Sequence, residues 1–216
     1  VTTFDQGAEI NDGGNDSASP IRPELCLFLE SAAEEDAPIF AQVSVIQPRK
    51  GQDFALDVFE RRWARGAVDR LLYVGRKGWK ADELYARIAA HPESGKRFLY
   101  VENASERELA LIYDRSLALL SPSRGEGYGL PVVEGAQRGL PVILSDLPVY
   151  RELAGEAGFF FPLGDLAGCD QRIDEVIALP AEKRSERVRK IRIGTWRQGV
   201  DDLFAALERG RERRAA

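Results

Sequence analysis

The sequence contains no methionine, two cysteines and one histidine in 216 residues. Cys26 and Cys169 are too few and too far apart for a disulfide framework or a metal knuckle, so a reducing compartment, the cytoplasm, is the natural reading. No apolar run approaches the roughly 18 residues of a membrane helix, and no signal peptide opens the chain. No Asp-x-Asp pair occurs, which leaves a diphosphate-bridging metal without obvious ligands; no metal or other cofactor is expected. The net charge is only -5 and the two signs are interspersed, so there is no electrostatic footprint for nucleic acid. No internal repeat is visible. The chain opens on Val1, which points to a fragment of a longer protein.

What is present is ordinary for a globular protein: 44% apolar and 30% charged residues, enough to bury a sizeable core. Residues 1–36 read as a linker or N-terminal extension, rich at first in Gly, Asp, Asn and Ser as in Asn11-Asp12-Gly13-Gly14-Asn15-Asp16. From there to residue 216 strand and helix signals alternate. Strands are expected at Ile39–Ile46, Arg70–Val74, Arg97–Val101, Leu117–Leu120, Pro141–Leu144 and Gly158–Phe161. Helices are expected at Asp53–Arg65, Ala81–His91, Ser105–Arg115, Leu130–Arg138 and Val149–Leu153. The tail reads as three further helices, Ala167–Leu179, Ala181–Ile193 and Trp196–Arg213. Such alternation implies βαβ units in a Rossmann-like, doubly wound parallel sheet, an α/β fold whose ligand crevice lies at the carboxyl ends of the strands. The basic end, Arg209 to Arg214, is either a solvated helix terminus or a contact to anionic lipid.

One loop carries chemistry. Ser121 to Glu134 joins the fourth strand to a helix through Gly125-Glu126-Gly127-Tyr128-Gly129. Alternating glycines let the backbone approach a ligand closely, and Pro131 suits the first turn of a helix whose free N–H groups form an anion site. Glu134 lies one turn into that helix and leans back toward the loop, where its carboxylate can accept from two vicinal ribose hydroxyls. A plain strand-to-helix turn with one solvated and one dipole-facing glutamate explains the same spacing. A dinucleotide fingerprint fits less well, because that motif follows the first strand. Near the end of the first strand, Gln47-Pro48-Arg49-Lys50-Gly51 is either a second phosphate clamp or a basic surface turn. His91 reads as a helix-end residue, Phe159 to Phe161 as a buried strand, and Asp146 as a crevice group or a helix cap.

Together the two segments resemble glycosyltransferase family 4, the retaining group with the GT-B fold. Its signature is two glutamates separated by seven residues, met here by Glu126 and Glu134. The likeness runs on through Gly139-Leu140-Pro141-Val142-Ile143, Ser145 to Glu152, Gly155 and Phe161 to Asp165, with Trp196 similar to the residue that opens the family's C-terminal helix. The wording of Pro48 to Gly51 and of Tyr73 to Trp79 is most similar to bacterial mannosyltransferases of surface polysaccharide synthesis. The resemblance implies one half of a GT-B enzyme, with Lys50 on the donor diphosphate, Glu134 on the ribose and Glu126 at the transferred sugar. Gly127, Tyr128, Gly129 and Leu130 would lend backbone N–H groups, and Val101 and Asn103 would frame the base. Family members often carry an arginine near the position of Val45; here Arg49, adjacent to Lys50, would be the second clamp. The implied partners are GDP-mannose, a lipid-linked glycan acceptor and an N-terminal acceptor domain, with peripheral contact to the inner membrane face. Rival readings are a UDP-sugar donor in the same family and a non-catalytic nucleotide-binding module.

Overall fold

A computed structural model describes residues 19–191, together with 200, 201, 204 and 205. Six strands form one sheet: β1 (Ile39–Val43), β2 (Arg70–Val74), β3 (Phe98–Val101), β4 (Ala118–Ser121), β5 (Val142–Ser145) and β6 (Phe159–Phe161). Every pairing is parallel, in the order β3-β2-β1-β4-β5-β6. The strands are mostly apolar, as in Leu71 to Val74 and Phe98 to Val101, because helices cover both faces. The period-2 alternation nevertheless sorts the side chains. Phe40, Leu71, Tyr73, Phe98 and Leu120 enter one core with Phe54, Phe59 and Trp63 of α2 (Gln52–Ala64). Ala41, Leu72, Val74, Val101 and Leu119 enter the other, on the opposite face.

Five further helices lie along the chain from the sheet's middle: α3 (Asp82–Ala89), α4 (Glu106–Arg115), α5 (Leu130–Gln137), α6 (Pro148–Ala154) and α7 (Leu166–Ala178). Their bounds match the sequence expectations to within two residues. α8 (Ala181–Val188) is shorter than expected, and Val188 closes it onto the second core. Among the described residues no helix is long and apolar enough to cross a membrane.

The expected linker needs a correction. Residues 23–34 are α1 (Pro23–Glu34), which starts on a proline and buries Leu25, Phe28, Leu29 and Ala32. Those positions have the i, i+3, i+4, i+7 spacing of an amphipathic helix. The folded unit therefore begins before residue 37; the Gly- and Asp-rich texture that suggested a linker ends upstream of this helix. The part of the linker from residue 1 to 18 lies outside the described residues. So does most of the expected helix Trp196–Arg213, including Trp196 and its basic end; Val200, Asp201, Phe204 and Ala205 within it are helical.

β1 leads through α2 to its neighbour β2 on one side, and β4 pairs with it on the other. The strand order reverses between β1 and β4, where a doubly wound sheet opens a crevice at the strands' carboxyl ends. β1 stops at Val43, three residues earlier than expected, because the chain bends toward β2. Ser44 N–H donates to Val74 O at 2.9 Å and Ile46 N–H to Arg76 O at 2.9 Å.

Candidate active site

Two loops enter this crevice, one after β1 and one after β4. The first ends in a single 3-10 turn, Pro48–Lys50, stopped by Gly51 at φ 71°. A Cβ at Gly51 would lie 2.2 Å from Pro122 O, so only glycine lets the loops meet backbone to backbone. Arg124 N–H donates to Arg49 O at 2.8 Å, and the Arg124 guanidinium reaches Asp53 at 2.8 and 3.1 Å. Buried Gln42 donates to Lys50 O at 2.8 Å, and buried Gln52 to Ser44 Oγ and Val45 O. The backbone under Lys50 is thus held from two sides.

The result brings together Arg49, Lys50 and Glu126. Lys50 Nζ donates to Glu126 Oε1 at 2.5 Å across 76 residues of sequence. Arg49 Nη1 lies 3.5 Å from Glu126 Oε2 and also donates to Gly125 O. Ser123 Oγ donates to Glu126 Oε1 at 2.7 Å and Tyr150 OH to the same oxygen at 3.2 Å. Tyr150, on α6, is fully buried and shares a 2.5 Å hydrogen bond with Ser121 Oγ. Ser145 Oγ fixes Ser123 in turn, donating to its carbonyl at 2.5 Å. Burial by itself would raise the Glu126 pKa. The hydrogen bonds from Lys50 and Ser123 and the charges of Lys50 and Arg49 outweigh it and hold the carboxyl below its ordinary value. Glu126 is an ionised carboxylate at neutral pH.

Glu134 lies one turn into α5 and accepts from Tyr113 OH through Oε2 at 2.8 Å. It lines an open cavity of about 880 Å³ together with Arg49, Lys50 and Leu130. Glu126 does not line this cavity. Gly127 is exposed, and a Cβ built on it meets nothing within 4 Å. Gly129 sits at φ 92° as the N-cap of α5, 2.9 Å from the Tyr150 ring at its would-be Cβ. Tyr128 is half-buried against the core rather than turned to the cavity.

Val101 and Asn103, expected to frame a base, lie off this cavity. Val101 is fully buried on the core side of β3, and its carbonyl is taken by Gly75 N–H at 3.1 Å. Asn103, in the left-handed region at φ 51°, is exposed with its carbonyl against Arg22 at 3.4 Å. Neither lines the cavity. Residues after β2 line it: Arg76, Lys77 and an exposed Trp79. Their signal in the sequence was a strand end followed by Gly-Arg-Lys-Gly. Gly75 and Gly78 press onto the first loop, their would-be Cβ atoms falling 1.9 Å from Ser44 O and 2.6 Å from Val45 Cγ1.

The residues set aside stay outside the site. His91 is buried, edge-on to Trp63 and Phe98, with Nε2 3.0 Å from Glu60. Phe159 and Phe161 are core residues. Asp146 pairs with Arg151 at 2.6 and 2.8 Å and does not cap α6. Among the described residues no group of three or more His, Cys, Asp or Glu is placed to hold a metal.

A family model described as glycosyl transferases group 1 matches residues 28–192. The serotype-specific mannosyltransferase WbdA of Escherichia coli is 34% identical over 207 residues, which are 96% of this chain and 25% of that protein. The O-antigen chain mannosyltransferase RfbU of Salmonella typhimurium is 31% identical over 81 residues, 38% of this chain and 23% of its own. Among solved structures, α,α-trehalose 6-phosphate synthase from Burkholderia multivorans superposes with a TM-score of 0.67 at 14% identity, covering 89% of this chain and 49% of that one. TarM superposes at 0.60 with 15% identity, covering 86% and 35%. At such identities these two show the shared fold. The chain spans about a quarter of the length of WbdA.

Proposed function

The chain belongs to the group 1 glycosyl transferases, one Rossmann-like half of a GT-B fold, and from that premise we propose that it binds the donor of a retaining hexosyltransferase. The donor is a nucleoside diphosphate sugar, GDP-mannose, and the acceptor a lipid-linked glycan of a surface polysaccharide, used at the cytoplasmic face of the membrane. The observation that carries this reading is the meeting of Arg49, Lys50 and Glu134 on one cavity at the reversal of strand order. Cations there suit a diphosphate, and preorganised cations and amides stabilise the charge that develops as a nucleoside diphosphate leaves. In this reading the phosphates are neutralised by side chains and backbone N–H groups, without a metal. Glu134 takes the ribose, and Glu126 stands beside the sugar. The mannosyltransferase relatives support mannose as the transferred group.

Thermal-shift measurements with GDP, UDP, ADP and NAD test the reading, since a ligand that binds only the folded state raises its melting temperature by mass action. GDP is expected to give the largest shift. Lys50→Ala is expected to weaken GDP by about 1.5–3 kcal/mol, the range for hydrogen bonds to charged groups, and to leave guanosine binding nearly unchanged. No shift with any nucleotide would sink the proposal; a UDP preference would move it to a different donor.

A further inference from the structure

The ion pair between Lys50 and Glu126 sets two groups of the proposed site against each other. Both side chains are largely out of water, 13% and 7% exposed, and lie 2.5 Å apart. A diphosphate seated on Lys50 brings at least two negative charges within a few ångström of a carboxylate with little solvent to screen it. An ammonium has three donors and could touch both anions, but the anions repel each other at that range. We propose that Glu126 is the anion which the donor's diphosphate must displace from Lys50, and that this exchange makes the site favour a sugar-bearing donor over the spent nucleoside diphosphate. The proposal rests on the nucleotide-sugar reading above.

The geometry gives the second half of the argument. Once Lys50 turns to the phosphates, Ser123 and Tyr150 still hold Glu126 through Oε1. Oε2 lies 3.5 Å from Arg49, itself a cation the phosphates would draw away. A nucleoside diphosphate alone leaves that oxygen charged beside its own phosphates. A sugar on the diphosphate brings hydroxyl donors to it, and a hydroxyl bonded to a largely buried carboxylate offsets the lost ion pair. Glu126 thus opposes rebinding of the product more than binding of the donor.

Calorimetry on the whole 216-residue chain tests this with GDP, GDP-mannose and pyrophosphate as ligands. Five proteins are compared: the unaltered chain, Glu126→Gln, Glu126→Ala, Lys50→Ala and the Lys50→Ala, Glu126→Gln double variant, with thermal melts to confirm folding. Glu126→Gln keeps shape and removes charge, and is expected to bind GDP and pyrophosphate roughly ten-fold more tightly, the order of one charge-assisted hydrogen bond that no longer has to be broken. GDP-mannose should gain less, so its advantage over GDP shrinks. On the Lys50→Ala background the same change should gain little. Glu126→Ala must order the ligands as Glu126→Gln does. Binding of GDP that is no tighter in Glu126→Gln, or a gain of equal size with and without Lys50, overturns the exchange while leaving the nucleotide site standing. An unaltered chain that binds none of the three ligands overturns the functional reading itself.

Discussion

At the scale of single residues, Glu134 serves two neighbours through one carboxylate. Oε2 accepts the phenol of Tyr113, and the side chain also lines the cavity. Tyr113 is fully buried; burial first, and then the nearby Glu134 charge, push its ionisation well above the ordinary phenol value. Glu134→Ala would leave that hydroxyl buried without an acceptor, at an expected cost of about 1–3 kcal/mol in stability as well as lost nucleotide binding. Glu134→Gln retains an acceptor for Tyr113. It should melt like the unaltered protein and yet bind GDP and GDP-mannose more weakly by a similar factor. Undiminished GDP affinity in Glu134→Gln would remove this residue from the ribose. The identities of Glu126, Glu134 and Lys50 were readable from spacing and resemblance. The contacts of Tyr113, Tyr150 and Ser145 were not, since each reaches the site from a different element; Ser145 and Tyr150 lie in the segment of likeness, but nothing there assigns them a place in the site.

At the scale of elements, the two site loops owe their geometry to glycines with opposite surroundings. Gly51 has φ 71° and touches Pro122, whereas Gly127 has open space around it. Gly51→Ala is therefore expected to destabilise by about 1–3 kcal/mol or more, from left-handed strain plus a backbone clash. Gly127→Ala should leave the melting temperature within about 1 °C, given how little an open surface position contributes, and reduce GDP affinity if a ligand occupies that space. A larger melting loss for Gly127→Ala than for Gly51→Ala would contradict this account of the loops.

The start of α4 offers a test by pH. Ser105 and Glu108 form a capping box, and Arg22, just before α1, donates to Glu108 at 2.7 and 3.0 Å. The hydrogen bond from the Arg22 guanidinium, against the pull of burial, holds the Glu108 carboxyl at about 2 from an ordinary 4.5. A carboxyl with a depressed pKa stabilises the fold above its unfolded value and loses that contribution as pH falls through the folded one. Arg22→Ala is thus expected to cost about 1–3 kcal/mol near neutral pH. The gap between the two melting curves should narrow from pH 4.5 downward. A gap that stays constant to pH 3 would show that the ion pair does not hold α1 to α4.

At the scale of the molecule, the described residues form one parallel sheet with a crevice open to solvent along its carboxyl edge. They offer cations and the Glu134 carboxylate on its walls, the latter proposed to take the ribose, and the resemblance implies acceptor-binding groups in a separate α/β domain. The expected outcome is that the 216-residue chain by itself binds GDP-mannose and transfers mannose to a glycan at a negligible rate. Robust turnover by this chain would show that a single such domain suffices.

The sequence by itself determined the class of fold, six of the eight helices α1 to α8 among the described residues and the six strands to within a few residues, and the two loops with their charged groups. Those features are local: apolar period, glycine and proline placement, and spacing between glutamates are all written over fewer than about twenty residues, the reach of periodicity arguments. The tertiary structure alone decided three things. It drew α1 into the core, because the value of its apolar stripe depends on a sheet face some distance along the chain. It set Arg76, Lys77 and Trp79 on the cavity and left Val101 and Asn103 off it, because strand order and the left-handed turn at Asn103 determine which loops meet. And it paired Lys50 with Glu126, because an ion pair spanning 76 residues exists only once the crossover from β3 to β4 sets β4 beside β1 and brings their loops together.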